Sequence, residues 1–97
     1  MNRTYCVYIM TDCLQTGLYI DVTNDLKKRV CEHKNKTAEG YTQQCNADKL
    51  VYYELASTAE AAQERVEQLK RLHPAWKITL IRKLNPEFED LSLGWKN

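Results

Sequence analysis

Residues 18–33, LYIDVTNDLKKRVCEH, decide the fold. Leu18, Ile20 and Val22 alternate with Tyr19 and Asp21, the two-residue period of a strand with one apolar face. The strand gives way at once to a helix start. Thr23 or Asn24 is the expected cap, and Asp25 falls in the first turn, where a carboxylate favours the positive end of the helix dipole. The helix is expected to reach Lys34 or Asn35, with Arg29 and His33 four residues apart on one side.

Upstream, residues 5–11 (YCVYIMT) are rich in β-branched and aromatic residues and read as a strand. Turn-forming residues 12–17 make it a hairpin with residues 18–22. Downstream, residues 34–49 form a long polar loop, a length often tied to function in small domains. A third strand follows at residues 50–56 (LVYYELA). Ser57 or Thr58 then caps a second helix with Ala62, Val66 and Leu69 on one face. His73-Pro74 ends that helix, and Pro74 suits the first turn of a third, PAWKITLIRKL. The tail has a proline stop and two possible anchors, Phe88 and Trp95. The order β-β-α-β-α-α implies an α+β fold, a three-stranded, largely antiparallel sheet flanked by helices, with residues 1–97 as one domain.

Composition excludes several classes. No apolar run approaches the roughly 18 residues of a membrane span, and the first ten residues are too mixed for a signal peptide, so a cytoplasmic protein without a membrane partner is expected. The cysteines at 6, 13, 31 and 45 form no C-x-x-C pair and read as scattered reduced thiols. The net charge of +1 is unevenly spread. Lys27, Lys28, Arg29, Lys34 and Lys36 face only Glu32, a net +4 over residues 26–37. Such a stripe suits a phosphate backbone, and equally a solvated helix face.

The hairpin and its helix can bring Tyr8, Tyr19, Arg29 and His33 to one cleft. Phosphodiester hydrolysis uses such groups: a proton acceptor for water, a fixed cation for the charged transition state, and a metal. The same residues also suit ring packing and an exposed helix face, so spacing leaves both readings open.

The pieces LYIDVT, DLKKRVCEHK, EGYT, LVYYE, EQLK, AWK and NPEFEDL, in this order, resemble the small bacterial single-domain members of the GIY-YIG nuclease family almost end to end. Cys6-Val7-Tyr8 takes the GIY position and Tyr19-Ile20-Asp21 the YIG position. The resemblance implies an endonuclease that hydrolyses phosphodiesters of DNA, at branched or distorted sites, with Mg²⁺ or Mn²⁺. Tyr8, Tyr19, Arg29 and His33 are then catalytic, and Lys27, Lys28, Lys34 and Lys36 contact nucleic acid. Two positions depart from the pattern. Asp21 replaces the YIG glycine, and Val66 stands where the family's metal-holding glutamate falls, with Glu67 about 100° around the helix. One expectation is that Asp21 replaces the lost ligand and meets the Val66 position at one site. The other is a catalytically degenerate domain that binds nucleic acid or protein. Gln43-Gln44 and His73-Pro74, where the family tends to be basic, favour weaker phosphate attraction.

Overall fold

Residues 7–11 are all buried, which requires a strand covered on both faces. The structure, a computed structural model, describes residues 4–11, 18–34 and 49–93, without the side chains of His33 and Lys34. The buried run belongs to β1 (Tyr5–Thr11), which lies between β2 (Leu18–Thr23) and β3 (Lys49–Ala56) and pairs antiparallel with both. The helices are α1 (Leu26–Lys34), α2 (Ala59–Arg71) and α3 (Pro74–Leu84). This is the expected α+β architecture. The turn at 12–17, most of the 34–49 loop, Lys36 and Trp95 lie outside the described residues.

Strand alternation sorts the core into two layers. Val7, Ile9 and Ile20 pack with Ala62, Val66 and Leu69 of α2, Ile81 of α3 and Phe88. Tyr8 and Met10 leave β1 on the opposite face and pack with Val30 of α1 and Leu50. A register shift helps β3 serve both. Ile9 pairs with Tyr52 but Met10 with Leu50, so Val51 is an extra residue and Leu50 turns to the α1 side. Simple alternation would have left Leu50 and Tyr52 on one face.

Each helix start has an identifiable acceptor. For α1 it is Asp25, one residue later than expected: its Oδ1 accepts from the Lys28 N–H at 3.2 Å, and Thr23 Oγ1 accepts from the Asp25 N–H at 3.0 Å. Thr58 caps α2 by accepting from the Ala61 N–H at 3.0 Å. His73 caps α3 through Nδ1, which accepts from the Ala75 N–H at 3.1 Å, with Pro74 opening the first turn.

The tail covers one end of β3. Buried Asn85 donates to the Val51 carbonyl at 3.1 Å and the Glu89 carbonyl at 2.8 Å, and accepts from the Glu89 N–H at 3.0 Å. Leu91 N–H donates to the Leu50 carbonyl at 2.7 Å, and Asp90 Oδ1 accepts from the Leu50 N–H at 3.2 Å. These bonds satisfy part of an edge that would otherwise be open. Phe88 has a positive φ of 52°. That conformation costs about 1–2 kcal/mol, and burying the phenyl ring contributes a similar or larger amount.

Candidate active site

The β1–β2 register builds the site. Tyr8 pairs directly with Asp21, and Met10 with Tyr19, so both tyrosines and the aspartate project from the face that α1 covers. The Tyr8 and Tyr19 ring centroids are 6.2 Å apart and tilted at 50°. Arg29, on the first turns of α1, reaches down to this face. Its Nε donates to the Tyr8 hydroxyl at 3.2 Å, while Nη1 pairs with Glu32 Oε1 at 3.2 Å. The Tyr19 hydroxyl donates to Asp21 Oδ2 at 2.9 Å, and Asp21 Oδ1 accepts from the Val22 N–H at 2.8 Å.

Electrostatics follow from this packing. Burial pushes the Tyr8 hydroxyl well above the ordinary phenol value, and the hydrogen bond from Arg29 offsets only part of it. Tyr19 is raised as well, by burial first and then by the hydrogen bond it donates to Asp21. Neither phenol is ionised at neutral pH. The bond to Tyr8 holds the Arg29 guanidinium even more firmly in its charged form. Together these groups offer a fixed cation, a pair of neutral hydroxyls and a carboxylate already receiving a hydroxyl proton.

Arg29 also borders solvent. A cleft of about 420 Å³ is lined by Arg29 with Thr23, Asn24 and, from α2, Ala59 and Gln63. A second of about 260 Å³ lies beside it, between Lys28, Arg29, Glu32 and Asp25. The α1 guanidinium is thus reachable from outside while its Nε contacts buried Tyr8.

The structure joins Tyr8, Tyr19, Asp21 and Arg29. Lys27 and Lys28 are exposed on α1, and Lys28 lines the smaller cleft. His33 and Lys34 occupy α1, but their side chains lie outside the described residues, as does all of Lys36. Val66 does not approach Asp21. It packs with Val7, Ile9 and Ile20, whose side chains leave the sheet on the side opposite Tyr19 and Asp21, because neighbours along a strand point to opposite faces. The expectation that the two departures meet at one site is therefore corrected. Sequence reasoning also missed Glu32, the ion-pair partner of Arg29, although its i+3 spacing was visible. It missed a further group, Tyr52, Glu54 and Arg65, on the α2 side. The Tyr52 hydroxyl donates to Glu54, and Arg65 Nε pairs with Glu54 Oε1 at 2.8 Å. The repeated tyrosine-x-acid pattern on β2 and β3 was the available signal.

Residues 4–79 match the family model described as the GIY-YIG catalytic domain. The chain belongs to the GIY-YIG family. Among its relatives is the UPF0213 protein CPE1444 of Clostridium perfringens, 37% identical over 75 residues, which span 77% of this chain and 80% of that one. A UPF0213 protein of Syntrophus aciditrophicus is 34% identical over 88 residues, or 90% of this chain and 98% of that one. The solution NMR structure of the UPF0213 protein BH0048 from Bacillus halodurans superposes with a TM-score of 0.57, covering 94% of this chain and 97% of that one. At 22% identity, it supports the fold alone.

GIY-YIG nucleases generally use a divalent metal. Among the described residues, no three His, Cys, Asp or Glu side chains converge on a point that could hold an ion. Asp21 is the carboxylate of the tyrosine cluster, and both its oxygens already accept hydrogen bonds. A small hard cation that keeps most of its waters needs only one or two carboxylates, with substrate phosphate completing the shell. The residues fit that mode and not a caged site. No helix among the described residues is long and apolar enough to cross a membrane.

Proposed function

We propose that this GIY-YIG nuclease-like protein hydrolyses phosphodiester bonds in DNA at branched or distorted sites. The observation that carries the reading is the convergence of Arg29, Tyr8, Tyr19 and Asp21 on one face, with Arg29 also lining an open cleft. Arg29 holds the charge that develops on the phosphoryl oxygens. Tyr19 and Asp21 form the proton path: water gives a proton to the Tyr19 oxygen as Tyr19 passes its own to Asp21. Tyr8 fixes the direction of the guanidinium, and His33, one turn along α1 from Arg29, is a second proton carrier. Lys27, Lys28, Lys34 and Lys36 draw in the backbone. A divalent cation, Mg²⁺ or Mn²⁺, held at Asp21 would supply Lewis-acid polarisation of the phosphate and a more acidic bound water.

Buried Val66 favours a second reading, a domain that retains binding and has lost cleavage. Incubating the purified chain with labelled linear, flap and junction DNA in Mg²⁺ or Mn²⁺ separates the two. Cleavage that disappears in Asp21→Ala and Arg29→Ala supports hydrolysis. A native chain that binds these DNAs without cutting them in either ion supports the binding module instead.

A further inference from the structure

A second basic region lies beyond α1. Residues 68–84 contain Lys70, Arg71, Lys77, Arg82 and Lys83 and no acidic residue, in a chain whose net charge is only +1. This run ends α2 and forms all of α3. Between the two helices lies a groove of about 350 Å³ lined by Arg65, Leu72, Trp76, Thr79, Leu80 and Lys83. Trp76, Thr79, Leu80 and Lys83 follow the 3, 4 spacing, so they make one stripe along α3.

Three properties of the groove point to one kind of ligand. Trp76 is 64% exposed, although an indole of that size is ordinarily well buried. Leu72 and Leu80 give the groove apolar walls that are only half-buried themselves. Its two cations differ in availability. Arg65 is held by Glu54 at 2.8 Å, whereas Lys83 makes no ion pair among the described residues. Lys83 lies seven residues beyond Trp76, about 10 Å along the helix axis.

We propose that this α2–α3 groove binds a single-stranded nucleic-acid segment, with an unpaired base stacked on Trp76 and the adjoining phosphates over Lys83. A flat aromatic face beside a cation is the combination that holds unpaired bases without reading their sequence. Duplex DNA offers its phosphates but keeps its base faces stacked inside, so it leaves the indole unused. The absence of acid from the lining matches a polyanion. The groove lies on the α2–α3 side, so it is separate from the Tyr8–Arg29 cluster, and the inference goes beyond the hydrolysis reading.

The test uses the full chain carrying Trp95→Phe, so that Trp76 is the remaining tryptophan. Labelled oligothymidylate should quench Trp76 emission and bind with an affinity that falls as salt rises. Trp76→Ala should weaken binding by between about five- and a hundredfold, with Trp76→Phe recovering most of it. Lys83→Gln should weaken it further and flatten the dependence of log affinity on log salt by about 0.7. Arg29→Ala, at the other site, should leave this binding in place. Unchanged affinity in both Trp76→Ala and Lys83→Gln overturns the proposal, as does equal quenching by a matched duplex. Tighter quenching by an acidic, leucine-containing peptide also overturns it and assigns the groove to a protein partner. If the groove variants bind like the native chain while cleavage still depends on Arg29, this inference fails and hydrolysis stands.

Discussion

Two clusters, one on each face of the sheet, are built from the same kinds of side chain. On β2, Tyr19 donates to Asp21; on β3, Tyr52 donates to Glu54; in each case the helix that follows the strand contributes an arginine. They differ in where the arginine goes. Arg65 binds Glu54 directly, closing an ion pair that clamps α2 to β3. Arg29 instead donates to the Tyr8 hydroxyl and pairs with Glu32 on its own helix, so Asp21 is left with a hydroxyl and a backbone N–H as its partners. A charge neutralised by its partner stabilises the fold and has little left for a ligand. The Arg29 guanidinium is shared between a neutral hydroxyl and a partly exposed ion pair, so it keeps part of its charge for the cleft. The same parts therefore make a clamp on one side and an arrangement open to a cleft on the other.

Exchanging the arginines' roles should break this comparison most sharply. Arg29→Ala is expected to lower DNA cleavage by about 10²–10³-fold, the loss seen when one donor to a developing oxyanion is removed. Its melting temperature should also fall by several degrees, because the buried Tyr8 hydroxyl loses a donor, while the Glu32 pair is partly exposed and worth little. Arg65→Ala should affect stability alone: near-native cleavage at low temperature and a loss of about 1 kcal/mol in stability, or a melting shift of roughly 4–8 °C. Gel-based cleavage and thermal denaturation on both variants check it. Equal effects on activity would mean that the two clusters are not distinct.

The carboxylates sharpen the same point with smaller effects. Asp21→Asn keeps the size and hydrogen-bonding reach of the side chain but removes its charge, so activity and the response to Mg²⁺ or Mn²⁺ should fall together by one to two orders of magnitude, about 1.4 kcal/mol for each. Glu54→Gln should cost about 1 kcal/mol of stability and leave the metal response intact. Melting curves with and without the cation distinguish them. A native chain insensitive to either ion in both assays removes Asp21 from consideration as a ligand.

How far these clusters were legible in the sequence depends on the range of the contacts. Alternation within β1 and β2 assigned Tyr8, Tyr19 and Asp21 to faces, because that period is local. The arrangement of the sheet was equally legible from the short hairpin and two capped helices. What was not legible depends on which helix covers which face. Val66 and Asp21 belong to opposite layers, a fact that no periodicity contains. The Glu54–Arg65 pair joins a strand to a helix eleven residues on, outside the spacings a single element imposes. The register shift at Val51 and the edge bonds of Asn85 and Asp90 likewise arise only when separate segments meet.

The two acid-paired tyrosines, Tyr19 and Tyr52, should differ least at high pH. Burial raises Tyr8, Tyr19 and Tyr52 above the ordinary phenol value of 10.0, and a hydrogen bond to a carboxylate adds to the rise in Tyr19 and Tyr52. A group that keeps its proton more tightly in the folded chain supports the native state fully below the unfolded value. Its contribution is lost as pH climbs from that value through the folded one. Stability should therefore decline from about pH 10 upward, each fully buried phenol accounting for up to about 1.4 kcal/mol per pH unit. Tyr8, with 0% of its surface exposed, should dominate. Denaturant titrations at stepped pH should show a shallower alkaline slope in Tyr8→Phe, and smaller, mutually similar changes in Tyr19→Phe and Tyr52→Phe. Burial acts first on both tyrosines and a carboxylate second, so the arginine arrangement that separates the clusters in function leaves their alkaline behaviour nearly alike. A steep slope that persists in Tyr8→Phe would assign the alkaline transition to other groups and separate tyrosine burial from the stability of the site.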